Sequence, residues 1–289
     1  MSHSEPATPR RQVPRFRRQL LIVAAVLTAL IALAAPASGG ATDARSTPAA
    51  AKPTIVLVHG AWADGSGWNE VVARLQRAGY PVRVPPNPLR GPGSDSATIA
   101  SFLSTIPGPI VLVGHSYGGA VITNAATGDP DVKALVYIDA FAPDQGETLL
   151  QLIAADSGSA LNTDPTTVFD FVPYPGAPAG DADLYLKQQV FLDSFATGIP
   201  TPKAMVLYAT QRPLTASAGA EPSGVPAWKS IPSWYLVGTG DQIITATSQR
   251  FMAQRAAATI VEVKAGHLSM ISDPAAVTKL ITQAADATT

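Results

Sequence analysis

The chain has no cysteine among its 289 residues. That absence excludes disulfides, Cys-ligated metal centres and a lipidated amino-terminal cysteine. Charge is scarce too, at 14% against 46% apolar residues, and histidine occurs only four times. Such a composition belongs to a compact globular protein, long enough for one large core and not so long that two domains are forced. Few histidines also shorten the search for an acid–base group.

One apolar stretch stands apart, the 16 residues from Leu20 to Ala35. Arg10, Arg11, Arg15, Arg17 and Arg18 precede it, and Ala35-Pro36-Ala37 follows as a small-x-small cleavage pattern. Residues 1–37 therefore read as a secretory signal peptide; the alternative, a retained membrane anchor, falls short of the ~20 residues needed to span. Arg17-Arg18-Gln19-Leu20-Leu21 also resembles a twin-arginine signal. The expected location is secreted or cell-envelope in a bacterium, with no stable membrane association once the signal is cleaved. Removing residues 1–37 takes five of the 20 basic residues and one of the 21 acidic ones, leaving a net charge near −5. An acidic chain has no electrostatic case for nucleic acid. Residues 38–52, rich in Ala, Ser, Gly and Thr, read as a disordered lead-in.

From residue 53 to 289 the pattern is that of one α/β domain. Apolar runs at Thr54–Val58, Tyr80–Val84, Ile110–Val113 and Val132–Ile138 predict buried strands. Helical spacing over Trp68–Ala78, from Ser94 or Asp95 as a cap to Ile106, and from Tyr117 to about Thr127 separates them. Such alternation predicts a mostly parallel sheet covered by helices on both faces. The rhythm breaks after Asp139. Residues 142–228 read as an inserted helical cap without strands, with helices at Glu147–Ala155, Asp181–Phe195 and Pro202–Gln211. Strand, helix, strand and helix then return at Ser233–Val237, Thr245–Ala257, Thr259–Val263 and Asp273–Ala285.

Chemistry is signalled by Gly114-His115-Ser116-Tyr117-Gly118, a G-x-S-x-G sequence at a strand-to-helix junction. A serine in so tight a turn requires neighbours two before and two after that carry no side chain. Gly114 and Gly118 meet that need, and Gly119 lets the helix sit close to the sheet. The motif alone is a weak signal; its strand, its small-residue helix and two downstream partners strengthen it. A serine hydroxyl needs a base to take its proton, and a third group to fix the base. His267, in the loop after the last strand, is the candidate base. Asp241, just past the penultimate strand, is the preferred acid, and Asp139 is the rival. His59 and His115 read first as hydrogen-bonded struts. For a developing oxyanion the candidate donors are the backbone N–H groups of Tyr117 and Ala61.

HGAW at His59–Trp62, GHSYGG at Gly114–Gly119, Asp241 and AGH at Ala265–His267 together resemble the α/β-hydrolase superfamily. The similarity is greatest to small bacterial esterases and to the plant methylesterase and hydroxynitrile lyase group, and runs from about Pro53 to Ile281. It implies the α/β-hydrolase fold, a triad of Ser116, Asp241 and His267, and Ala61 and Tyr117 as oxyanion donors. Lyases of that group carry a threonine at the position of Gly60 and a lysine at that of Leu268, so the resemblance favours hydrolysis. The expected activity is cleavage of small or hydrophobic carboxylic esters through an acyl-enzyme, with no metal or organic cofactor. Lactonase, thioesterase and cofactor-free perhydrolase chemistries use the same residues, and a non-catalytic ligand-binding protein is the remaining alternative. Trp62, Phe169, Phe171, Tyr185 and Phe191 are candidates to line the substrate pocket; the competing reading is that such aromatics glue cap to core.

Overall fold

The computed structural model describes residues 52–288. The predicted signal peptide, its twin-arginine pattern and all but the last residue of the lead-in lie outside them. Among the described residues no helix is long and apolar enough to cross a membrane.

Four strands come first: β1 (Thr54–Val58), β2 (Val82–Arg83), β3 (Ile110–His115) and β4 (Val132–Ile138). An insertion carries β5 (Phe169–Val172), β6 (Asp183–Leu186) and β7 (Leu214–Thr215), and the chain closes through β8 (Ser233–Gly238) and β9 (Thr259–Val263). The main sheet has the order β2-β1-β3-β4-β8-β9, and every pairing in it is parallel. Central β3 is buried along its whole length, as an unbroken apolar run requires when helices cover both faces.

The strand order explains that covering. Right-handed crossovers put a helix on one face when the chain moves one way along the sheet, and on the other when it reverses. The helix Asn69–Arg77 joins β1 to β2, while Pro92–Leu103 and Tyr117–Ala125 belong to steps in the opposite direction. Asn69–Arg77 accordingly packs on the closing helix Pro274–Asp286, and Pro92–Leu103 packs on Tyr117–Ala125. Register then aligns the carboxyl ends: Val58 faces Gly114, His115 faces Ile138 and Gly238 faces Val263. The segments leaving those ends, which carry Ala61, Ser116, Asp139, Asp241 and His267, meet along one edge, where ligands bind in open α/β sheets.

The local expectations need three corrections. The second strand is two residues long rather than five. Asp95 does not cap its helix, which starts at Pro92 after Gly91; its carboxylate turns back to accept the Arg90 N–H at 3.0 Å and the Tyr117 hydroxyl at 2.7 Å. Residues 142–228 are not purely helical, because β5, β6 and β7 form a small antiparallel sheet. Asp181–Phe195 is read from sequence as one helix, yet Asp183–Leu186 is its middle strand and only Gln188–Phe195 is helical. Strand pairing between segments far apart in sequence overrides local preference there.

Candidate active site

Ser116 sits at φ 52° and ψ −123°, a conformation that ordinary residues avoid. The surrounding contacts enforce it. A Cβ on Gly114 would lie 2.5 Å from the Gly118 carbonyl oxygen, and one on Gly118 would lie 2.6 Å from that of Val58. Gly119 is equally confined, since its Cβ would meet the Phe141 carbonyl oxygen at 2.4 Å. The turn therefore closes only with glycine at these places, and it lifts Ser116 onto the carboxyl edge of the sheet.

There the Ser116 hydroxyl lies 2.8 Å from His267 Nε2, and His267 Nδ1 lies 2.8 Å from Asp241 Oδ2. The imidazole is fully buried. Asp241 also accepts the N–H groups of Ile243 at 2.7 Å and Ile244 at 3.1 Å, and Gln249 Nε2 at 2.8 Å. With donors on every side the carboxylate acts as an acceptor, so it accepts a hydrogen bond from Nδ1–H, which keeps the proton on Nδ1 and leaves Nε2 open to accept from Ser116. Burial pushes the His267 ring down to about 3, which keeps it neutral. Burial also pushes the Asp241 carboxyl up from its ordinary value, and the Ile243 and Ile244 amides oppose that rise.

The rival acid is placed elsewhere. Asp139, at φ 45°, accepts the Ser269 N–H at 3.2 Å and the Ser269 hydroxyl, and so ties down the loop just past His267. Burial and the nearby Asp241 charge push its carboxyl well up. A carboxyl raised in the folded state contributes most stability below its unfolded value of 3.8, and that contribution is lost as pH rises through the folded value. Asp139→Asn removes this titration and keeps an acceptor for Ser269. Its Tm relative to wild type should therefore climb between pH 5 and pH 8; a flat or falling difference would show that Asp139 is an ordinary ionised carboxylate.

The other histidines are struts. His59 Nδ1 meets the Gly60 carbonyl at 2.9 Å while its Nε2 accepts the Asn87 N–H at 3.0 Å, and His115 Nε2 donates to the His267 carbonyl at 2.9 Å. Gly60 presses on the elbow so closely that a Cβ there would lie 2.7 Å from Ser116 Cβ. The N–H groups of Ala61 and Tyr117 donate to no carbonyl of the described residues, and both residues border the cavity that contains Ser116. Among the described residues no group of three or more His, Asp or Glu is arranged to hold a metal ion.

That cavity has a volume of about 100 Å³ and is lined by apolar side chains, among them Leu149, Leu161, Leu214 and Ile243. Of the five predicted pocket residues, Trp62 and Phe169 line it, and their rings stack at 5.6 Å. The other three do not. Phe171 lies two residues farther along β5 and is 48% exposed, past the rim. Tyr185 follows Leu184, which faces the cavity, so strand alternation turns it the other way. Phe191 is buried against Phe195 and Tyr208, away from Ser116. Gln249 went unread, because a glutamine eight residues beyond an aspartate carries no pattern of its own.

The sequence between residues 55 and 280 matches the profile described as the Alpha/beta hydrolase family. The chain belongs to the alpha/beta hydrolase family. A carbendazim hydrolyzing esterase of Nocardioides sp. is 36% identical over 112 residues, which is 34% of this chain and 46% of that esterase. The match thus spans less than half of that relative. A pyrethroid hydrolase of Sphingobium wenxiniae is 26% identical over 251 residues, 81% of this chain and 88% of that enzyme. Among solved structures, polyneuridine aldehyde esterase superposes with a TM-score of 0.69 at 20% identity, covering 80% of this chain and 98% of its own. This alpha/beta hydrolase shares the fold of that esterase and carries its own small antiparallel sheet as an insertion.

Proposed function

We propose that this alpha/beta hydrolase cleaves carboxylic esters of small or hydrophobic molecules. The observation that carries the reading is the chain of two 2.8 Å contacts from Ser116 through His267 to Asp241 at the floor of an apolar cavity. In this reading Ser116 Oγ attacks the ester carbonyl carbon as His267 Nε2 takes its proton. The tetrahedral oxyanion is held by the N–H groups of Ala61 and Tyr117, the latter at the amino end of the helix Tyr117–Ala125. His267 then returns the proton to the leaving alkoxide, giving an acyl-Ser116. Water, deprotonated by the same ring, attacks the acyl carbon and frees the acid. Asp241 holds the ring in the tautomer that works and stabilises the imidazolium while it exists.

The names of the relatives support ester chemistry, and the uncharged cavity supports a neutral substrate. A fluorophosphonate probe should label this hydrolase at Ser116 alone, read by mass spectrometry of the digested protein, and labelling should slow as p-nitrophenyl butyrate is added. A chain that melts cooperatively yet takes no label would be a binding protein rather than a hydrolase. Labelling without turnover of any ester in a panel that includes lactones and thioesters would move the substrate outside this class.

A further inference from the structure

Trp62 has a backbone φ of 55°, a region that bulky side chains rarely occupy. Two bonds to the insertion hold it there: its N–H donates to the Arg212 carbonyl at 2.9 Å, and Nε1–H donates to the Leu184 carbonyl at 2.9 Å. The indole is 5% exposed, stacked on Phe169 and edge-on to Phe195 at 5.9 Å. Trp62 borders the cavity over Ser116. It also borders a second void of about 10 Å³, about the space of one water, with Phe195, Leu207, Leu268 and Ile271 in its apolar lining and Asp64 and Ser66 in its polar lining.

We infer that Trp62 is a specificity-determining partition, which ends the cavity above Ser116 and limits the length of the ester group admitted. The inference rests on the hydrolase reading and adds a substrate class to it. Lining side chains such as Leu149, Ile153, Leu161, Leu214 and Ile243 are apolar, and none of the residues around the cavity is charged. A substrate bearing a carboxylate or ammonium group would lose its hydration with nothing to pair it. The favoured substrates are neutral esters with a compact branched or aromatic group, and long straight chains are stopped by the indole. Strained backbone pinned by two hydrogen bonds to the overlying segment keeps that wall from yielding.

The experiment is a chain-length profile with p-nitrophenyl esters from acetate to decanoate, on wild type, Trp62→Ala and Trp62→Ala/Leu207→Trp. Wild type should fall off toward the long esters. In Trp62→Ala the two spaces join, and the ratio of kcat/KM for decanoate over acetate should rise by about tenfold or more, the worth of two buried methylenes. Adding Leu207→Trp refills the far void and should return the ratio toward wild type. An unchanged ratio in a Trp62→Ala protein that melts cooperatively overturns the partition. So does an equal loss on every ester, which would confine Trp62 to shaping the turn at Ala61. If Trp62→Ala does not fold, Trp62→Phe carries the test with a smaller rise, and no rise is again fatal. Fluorophosphonate labelling of each protein separates the two ideas: no label on wild type strikes the hydrolase reading, while a labelled Ser116 with an unshifted profile strikes only the partition.

Discussion

Ser116→Ala and His267→Ala should each lower kcat/KM for p-nitrophenyl butyrate by on the order of 10⁴-fold or more, and the double variant should be no worse than either single one. In the proposed mechanism nucleophile and base act as a unit, so losing one leaves the other with nothing to do. What remains is the contribution of the oxyanion donors and of binding, which neither substitution touches. The two variants should differ in stability. Ser116→Ala deletes one oxygen from a turn whose shape is set by Gly114 and Gly118, and its Tm should stay within a few degrees of wild type. His267→Ala empties a fully buried site, strips Asp241 of a partner and breaks the contact with Phe195, whose ring lies 5.2 Å from the imidazole. Its Tm should fall clearly. Ser116→Ala that still turned over the ester above background would remove the serine from the mechanism, whatever the distances.

The parts of this fold that sequence revealed are those where one local signal suffices. Thr54–Val58, Val132–Ile138 and Thr259–Val263 are runs of β-branched and apolar residues bounded by turns, and they fold as strands with those bounds. Ser116 announced itself because glycine is required on both sides of it. His267 and Asp241 could be picked out because a parallel sheet delivers its loops to one edge, and histidine is scarce. Sequence order favoured Asp241 over Asp139, and distances separate the two, since both leave neighbouring strands at the same edge; one reaches the imidazole and the other reaches Ser269. The insertion was misread because Leu184, Tyr185 and Leu186 fit a helix as well as a strand until β5 and β7 are there to pair with them. Pocket aromatics shared that fate: Phe169 and Phe171 have the same parity on β5, and only the position of Trp62 tells which one meets the cavity.

Gly114→Ala is the smallest change expected to cost both fold and function. The added methyl would lie 2.5 Å from the Gly118 carbonyl oxygen, 2.7 Å from the Gly118 carbonyl carbon and 2.8 Å from the Gly119 nitrogen. All three are backbone atoms, so no side chain can rotate aside. Relief requires the helix Tyr117–Ala125 to move away from β3. That helix cannot move freely, because Gly119 already rests on the Phe141 carbonyl and Gly118 on that of Val58. Overpacking against rigid backbone costs about 3 kcal/mol or more, which for a domain of this size lowers Tm by roughly 6–12 °C. Whatever fraction folds holds Ser116 displaced, and an ångström of displacement at a nucleophile costs about a hundredfold in rate. Thermal melting and ester turnover on the same preparation test both halves. A Gly114→Ala protein with wild-type Tm and wild-type turnover would mean that the elbow is looser than its contacts imply, and that the strained φ of Ser116 is not what positions its hydroxyl.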